Sequence, residues 1–114
     1  DRQQVCLELL SAQGFVLDWA ENGEVCADLF QNSEPGYYDA ILMDIRMPIM
    51  DGYETTDTIR AMDRPDAGLP IIAMTADAYS DDIQRCLSHG MNAHVAKPID
   101  IDEVARILKR YLND

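Results

Sequence analysis

The chain has 114 residues, a length typical of a single domain, and 47% of them are hydrophobic, which is enough to form one core. It carries 21 acidic residues against 9 basic ones, for a formal net charge of −12. Nucleic-acid binding depends on Lys and Arg side chains that neutralise phosphates, so this charge argues against direct nucleic-acid binding. No apolar stretch approaches the roughly 18 residues of a membrane helix, and we expect no membrane contact by this domain.

The three cysteines, Cys6, Cys26 and Cys86, each lie in an apolar run and form no CxxC pair. This pattern predicts small buried thiols rather than disulfides or a metal site. Free thiols are typical of a reducing compartment, so we expect a cytoplasmic location. The chain would be cytoplasmic either by itself or as the cytoplasmic part of a membrane-bound sensor.

Hydrophobic periodicity and turn residues predict nine elements. In chain order they are a helix through Val5 and Leu10 that stops at Gly14, a strand over 15–19, a helix through 25–30, a strand over 38–43, a helix over about 53–62, a strand over 69–74, a helix over about 79–89, a strand over 93–96 and a helix from about Asp100 through Tyr111. Alternating helices and strands predict a parallel sheet with helices on both faces.

Three polar residues directly follow predicted strands: Asp44, Thr75 and Lys97. In open parallel sheets, ligands bind beyond the carboxyl ends of the strands, so these side chains are expected to converge. A carboxylate can attack phosphorus as a nucleophile, while a hydroxyl and an ammonium can hold phosphoryl oxygens. Taken singly, each residue could be a cap, a turn hydroxyl or a solvated charge. Together they predict a phosphoryl-accepting site.

Three segments resemble the receiver domains of two-component response regulators. The run YDAILMDIRMPIMDGYE around Asp44 resembles the phosphoacceptor segment of that family. PIIAMTADA around Thr75 resembles its switch-threonine region, and GMNAHVAKPI around Lys97 resembles its lysine–cis-proline turn. The sequences of these segments are most similar to those of the receivers of hybrid sensor histidine kinases. The resemblance covers the whole chain and implies a flavodoxin-like α/β fold with strand order 2-1-3-4-5.

The resemblance also implies roles for individual residues. Asp44 would accept a phosphoryl group from a kinase phosphohistidine, and Thr75 and Lys97 would hold the phosphoryl oxygens. Mg²⁺ would bind through the Asp44 carboxylate and the backbone carbonyl of Arg46. The remaining family positions are expected to shape the site: Pro48 and Gly52 in the loop beside Asp44, Ala76 with its small side chain, and Pro98 after a cis peptide bond.

One part of the family pattern is missing. Receivers normally open with a strand that ends in two adjacent acidic residues, and these complete the Mg²⁺ site. This chain is expected to begin inside the first helix, which places the pair upstream of Asp1, and residues 1–114 are expected to be a receiver truncated before that helix. Trimming, supply of the strand by another chain or a rearrangement, and true degeneracy remain open. The sequence as given predicts weak metal binding and impaired phosphorylation.

The family often carries Tyr or Phe three residues before the lysine, where this chain has His94. His94 is either a switch residue that responds to phosphorylation or an ordinary surface histidine. Phosphorylation is expected to favour a rearranged loop after the strand over 69–74, which is the fourth strand of the family pattern. This change would alter the face formed by the last two helices and the strand between them.

Two rival functions fit parts of the sequence. A degenerate pseudo-receiver would act only as a protein-interaction module, without phosphorylation. An aspartate-dependent phosphohydrolase would need a second Asp two residues after its nucleophile, where this chain has Arg46. For a working receiver, the expected partner is a histidine kinase or a histidine phosphotransfer protein. The sequence leaves open a homodimer, self-dephosphorylation and membership of a larger hybrid kinase.

Overall fold

A computed structural model describes residues 7–10, 17–20, 22–46, 49–75, 81–98 and 100–112 of the chain. The elements within these ranges are β1 Leu7–Leu10, β2 Leu17–Ala20, α1 Gly23–Gln31, β3 Ala40–Asp44, α2 Gly52–Arg60, β4 Ile71–Thr75, α3 Asp81–Ser88, β5 Ala93–Ala96 and α4 Ile101–Leu112. In the described ranges, no helix has the length and apolarity that crossing a membrane requires.

The strands form one sheet in the order β2-β1-β3-β4-β5, which confirms the order implied by the family resemblance. β3, β4 and β5 are parallel, with Ile41 opposite Ile71 and Ile72 opposite Ala93. β1 runs antiparallel to both of its neighbours. The carboxyl ends of β3, β4 and β5 therefore lie at one edge of the sheet.

The predicted helix through Val5 and Leu10 is wrong for Leu7–Leu10, which form β1 in the centre of the sheet. This place is the one that a parallel first strand occupies in the family pattern. Backbone groups of β2 and β3 need partners there, and this requirement outweighs the local helical spacing. β1 ends only six residues before β2 begins, fewer than the dozen or more that a crossover between parallel strands needs, which is consistent with their antiparallel pairing.

The later elements match their predictions closely, with ends that shift by a few residues. β3 and β4 each extend one residue further than predicted and so include Asp44 and Thr75 as their last residues. α1 begins after Asn22, whose side chain accepts a hydrogen bond from the Val25 N–H, and α3 is followed by Gly90 at φ +101°. These are ordinary helix start and stop signals.

Helices cover both faces of the sheet, as predicted. On one face, α1, α2 and α3 pack against one set of side chains from β3 and β4, in a core that includes Cys26, Phe30, Ile41, Met43, Ile59, Ile71, Ala73 and Cys86. On the other face, α4 packs against the alternate set, with Ala40, Leu42, Ile72, Met74, Val95, Val104 and Leu108. Because β3 and β4 are buried on both faces, their ends are held firmly in place.

Asn92 and Arg60 align the starts of β4 and β5. The Asn92 N–H donates to the Ile71 carbonyl, and the Asn92 side-chain oxygen accepts from the Ile71 N–H, each at 2.8 Å. The Arg60 guanidinium donates to that same oxygen and to the carbonyl of Gly90. This clamp sets the register of the two strands and therefore the relative positions of Thr75 and Lys97 at their other ends.

Candidate functional site

The candidate site lies at the edge where β3, β4 and β5 end. Asp44 is the last residue of β3, Thr75 is the last residue of β4, and Lys97 directly follows β5. In the sheet register Asp44 lies opposite Met74, and Thr75 lies opposite Ala96. The Lys97 N–H donates to the Thr75 carbonyl at 2.7 Å, which ties the lysine to the end of β4.

Asp44 and Lys97 form an ion pair at this edge, with 2.6 Å between Lys97 Nζ and Asp44 Oδ2. The other carboxylate oxygen, Asp44 Oδ1, accepts a hydrogen bond from the Arg46 N–H at 2.9 Å. The Asp44 side chain is only 9% exposed, whereas that of Lys97 is 41% exposed. The carboxylate is thus held at the bottom of the site by two charge-assisted contacts, with the ammonium at its opening.

Thr75 is fully buried, and its hydroxyl donates to the Val95 carbonyl at 3.4 Å. Hydroxyl hydrogen bonds are usually shorter than about 3.0 Å, so this contact holds the hydroxyl weakly. The structure therefore places Thr75 at the same edge as Asp44 and Lys97, with its hydroxyl directed toward β5.

The loop between β3 and α2 folds back onto the strand end. The Gly52 N–H donates to the Ile45 carbonyl at 3.2 Å, and a Cβ atom at Gly52 would lie 2.7 Å from both the Asp44 carbonyl oxygen and the Ile45 Cα. Only glycine fits this approach without a shift of the backbone. Within the loop, Ile49 has φ 70° and is 74% exposed.

The other predicted site residues fall into two groups. The Lys97–Pro98 peptide is cis, and His94 lies half-buried on β5, an edge strand of the sheet. Pro48 and Ala76 lie outside the described residues, as do Asp1 and Cys6. Cys26 and Cys86 are buried thiols rather than disulfide partners, as predicted, and burial raises the pKa of the Cys26 thiol.

The oxygen atoms available for a metal ion are few in the part of the chain that is described. The Asp44 carboxylate is at the site, and Arg46 follows it closely in the chain. The described residues contain no group of three or more His, Cys, Asp or Glu side chains that could hold a metal ion. The site therefore offers oxygen ligands of the type that Mg²⁺ prefers, but in small number.

Sequence reasoning missed two features of the loop after Asp44. One is the exposed Ile49 in a left-handed conformation, which is unusual for a β-branched residue and has no local sequence signal. The other is the close contact between this loop and Gly23, at the start of α1. The Asn22-Gly23 pair indicated a turn before a helix, but not what that glycine would contact.

The sheet order and the carboxylate–lysine pair at its edge define a flavodoxin-like module with a receiver-type site. The family model described as "Response regulator receiver domain" matches residues 2–109. The chain belongs to this family and is a receiver domain of a two-component phosphorelay.

Relatives and solved structures agree with this assignment. A hybrid signal transduction histidine kinase B of Dictyostelium discoideum is 35% identical over 93% of this chain. The receiver domain of a Pseudomonas aeruginosa sensor histidine kinase, with magnesium coordinated in its active-site cleft, is 40% identical with a TM-score of 0.72, over 83% of this chain and 75% of that one. The Saccharomyces cerevisiae Ssk1 receiver, crystallised with the phosphotransfer protein Ypd1, shares the fold at 21% identity with a TM-score of 0.68, over 81% of this chain and 68% of that one.

This chain spans a small part of its longer relatives. It covers 5% of a Candida albicans histidine kinase, 6% of the Dictyostelium kinase and 10% of a rice histidine kinase. The likeness therefore concerns the receiver region of these proteins.

Replacing Gly52 with alanine tests the close approach beside Asp44. We expect Gly52→Ala to lower the free energy of unfolding by about 1–3 kcal/mol, because the new methyl group would meet backbone atoms of Asp44 and Ile45. Urea denaturation measures the change. Gly68→Ala is the matched control: no atom of the described residues lies within 4 Å of a Cβ there, so we expect a change within about 0.5 kcal/mol. Equal effects of the two variants would contradict the prediction.

Proposed function

We propose that Asp44 accepts a phosphoryl group from a phosphohistidine of a histidine kinase or a histidine phosphotransfer protein. The observation that carries this proposal is the 2.6 Å contact between Lys97 Nζ and Asp44 Oδ2 at the carboxyl edge of the sheet. A nucleophilic carboxylate beside a single ammonium, mostly shielded from water, is suited to receiving an anion that the ammonium can then bind.

In the proposed transfer, one Asp44 oxygen attacks the phosphorus, the bond between phosphorus and the donor imidazole breaks, and the imidazole nitrogen keeps the electron pair of that bond. The Lys97 ammonium then binds a phosphoryl oxygen in place of the carboxylate. The Thr75 hydroxyl, weakly held by the Val95 carbonyl, can turn to donate to another phosphoryl oxygen. This exchange would favour a rearranged end of β4 and a different partner-binding face. Both interpretations of His94 remain predictions.

Labelling with a small phosphodonor such as acetyl phosphate tests the acceptor. We expect Asp44→Asn to abolish labelling, because the amide is not a nucleophile toward phosphorus. Lys97→Ala should slow it by about 100-fold, the usual effect of removing one charge-stabilising donor. The label should be released by hydroxylamine, as from an acyl phosphate.

Asp63→Asn is the matched control, since Asp63 is an exposed acid between α2 and β4. Undiminished labelling of Asp44→Asn would contradict the proposal. A folded wild-type chain that is never labelled would instead favour the second candidate function, a pseudo-receiver that acts only through protein contacts. The small number of acidic side chains in the described part of the site is the observation that favours that candidate.

Mg²⁺ would neutralise charge on the transferred group, and we propose that the Asp44 carboxylate and the Arg46 carbonyl would hold it. Because these are few ligands, we expect weak binding. In an NMR titration of the unphosphorylated chain, Mg²⁺ should shift the Arg46 amide signal, since that N–H donates to Asp44 Oδ1. The shift should persist in Asp63→Asn and disappear in Asp44→Asn. An identical shift in Asp44→Asn would show that the ion binds elsewhere.

We further propose that Ile49 contacts the protein phosphodonor. This residue is 74% exposed in the loop beside Asp44. An apolar side chain held in the left-handed region costs about 1–2 kcal/mol, which glycine would avoid, so an isoleucine there is costly for folding alone. An apolar patch on the donor, beside its phosphohistidine, is the kind of surface that would bury this side chain.

Ile49→Gly should therefore raise the free energy of unfolding by about 1 kcal/mol and still slow transfer from a protein donor about tenfold. Labelling by acetyl phosphate should not change, because no protein surface has to dock. Tyr37→Ser is the control for an exposed apolar residue at the opposite edge, ahead of β3, where Tyr37 is 51% exposed. Unchanged transfer from the protein donor to Ile49→Gly would refute the contact.

The kind of longer protein to which this receiver belongs is a further proposal. We propose that this receiver region belongs to a hybrid sensor histidine kinase, with the receiver on the cytoplasmic side. Its similarity to the receiver region of the hybrid kinase from Dictyostelium supports the proposal that it belongs to such a kinase. Homodimer formation and self-dephosphorylation remain predictions.

A further inference from the structure

The start of α1 presses against the loop that follows Asp44. Gly23, the first residue of α1, is buried, and a Cβ atom there would overlap the Met50 carbonyl oxygen and the Thr55 hydroxyl oxygen. It would also lie 3.1 Å from Met50 Cγ. A hydrogen in place of a side chain is what allows α1 and this loop to approach so closely.

Neither group that faces Gly23 is free to move away. The Thr55 hydroxyl belongs to a fully buried side chain and donates to the Asp51 carbonyl at 2.7 Å. The Met50 carbonyl is part of the backbone, one residue before Asp51, the N-cap of α2. Any added atom at Gly23 must therefore displace the loop itself, because buried surroundings of this density do not absorb an extra methyl group.

The opposite side of the same loop rests on the phosphoacceptor strand. Gly52 packs against the Asp44 carbonyl oxygen and the Ile45 Cα, and its N–H donates to the Ile45 carbonyl. The loop is thus held by two close contacts. Gly52, the first residue of α2, packs against the end of β3, and Gly23, the first residue of α1, packs against Met50. Displacement of Met50 would pass along the chain to Gly52, and from its hydrogen bond with the Ile45 carbonyl to Arg46, whose N–H donates to Asp44 Oδ1 at 2.9 Å.

We propose that Gly23 is a positioning residue for the phosphoacceptor loop. It holds the Met50 carbonyl in place and so sets the contact between the Arg46 N–H and the Asp44 carboxylate. The inference rests on the proposed function for its kinetic consequence only, since the geometry of the Arg46 N–H can be measured without a phosphodonor. Small displacements of a reacting group can slow a reaction by up to about 100-fold, so the expected effect is measurable.

The experiment compares Gly23→Ala, Thr55→Ala, the double variant and the Gly68→Ala control. Gly23→Ala should lower the midpoint of urea denaturation, and the double variant should recover part of that loss, because it removes the Thr55 hydroxyl but leaves the Met50 carbonyl in the way. Acetyl phosphate labelling, normalised to the folded fraction, should remain about tenfold slower in the double variant than in Thr55→Ala. The Arg46 amide signal should be displaced in both variants that carry the alanine at position 23.

The inference is overturned if the double variant labels at the rate of Thr55→Ala and keeps its Arg46 amide signal. It is also overturned if both variants with alanine at position 23 fail to fold while Gly68→Ala folds, because Gly23 would then support the whole core rather than the loop. If the wild-type chain itself is not labelled, the proposed function of Asp44 fails. The Arg46 amide signal then still decides whether Gly23 positions the loop.

Discussion

The ion pair between Asp44 and Lys97 is the contact on which the site depends, and it depends in turn on the register of three parallel strands. The two residues are 53 positions apart in the chain, and β4 lies between their strands. Side chains alternate between the faces of a strand, so a slip of one residue in β4 or β5 would turn Thr75 or move Lys97 away from Asp44. The buried strands and the link between Asn92 and Arg60 at the far ends prevent such a slip.

β1 adds no pair of adjacent acidic residues to the described site, since its sequence is Leu7-Glu8-Leu9-Leu10. A parallel strand in the central position would bring its carboxyl end to the edge where Asp44 lies. β1 is antiparallel and brings its amino end there instead, with Leu7 opposite Met43, the residue before Asp44. The backbone groups of the neighbouring strands are paired in either direction, so β1 completes the sheet without the acidic residues that the family pattern places at the end of its first strand.

The loop after Asp44 combines a firmly packed base with an exposed tip. Its base contacts glycines from two helices, and each contact is too close for a side chain. Its tip carries Ile49, exposed and in an unfavourable backbone conformation. In the proposed function, the tight packing would keep the carboxylate oriented for an incoming phosphoryl group, while the apolar tip would offer surface to a partner. Positioning and recognition would then fall to different parts of one short loop.

The sequence by itself determined the alternation of strands and helices from Ala40 onward, with ends correct to within a few residues, because turn residues and continuous apolar runs are local signals. It also brought Asp44, Thr75 and Lys97 to one edge, since parallel strands require this. Only the tertiary structure decided that Leu7–Leu10 form a strand, because pairing with distant strands overrode the helical spacing of their side chains. The contact of Gly23 with Met50 was likewise beyond local reasoning, because it joins segments that meet only when α1 and α2 pack.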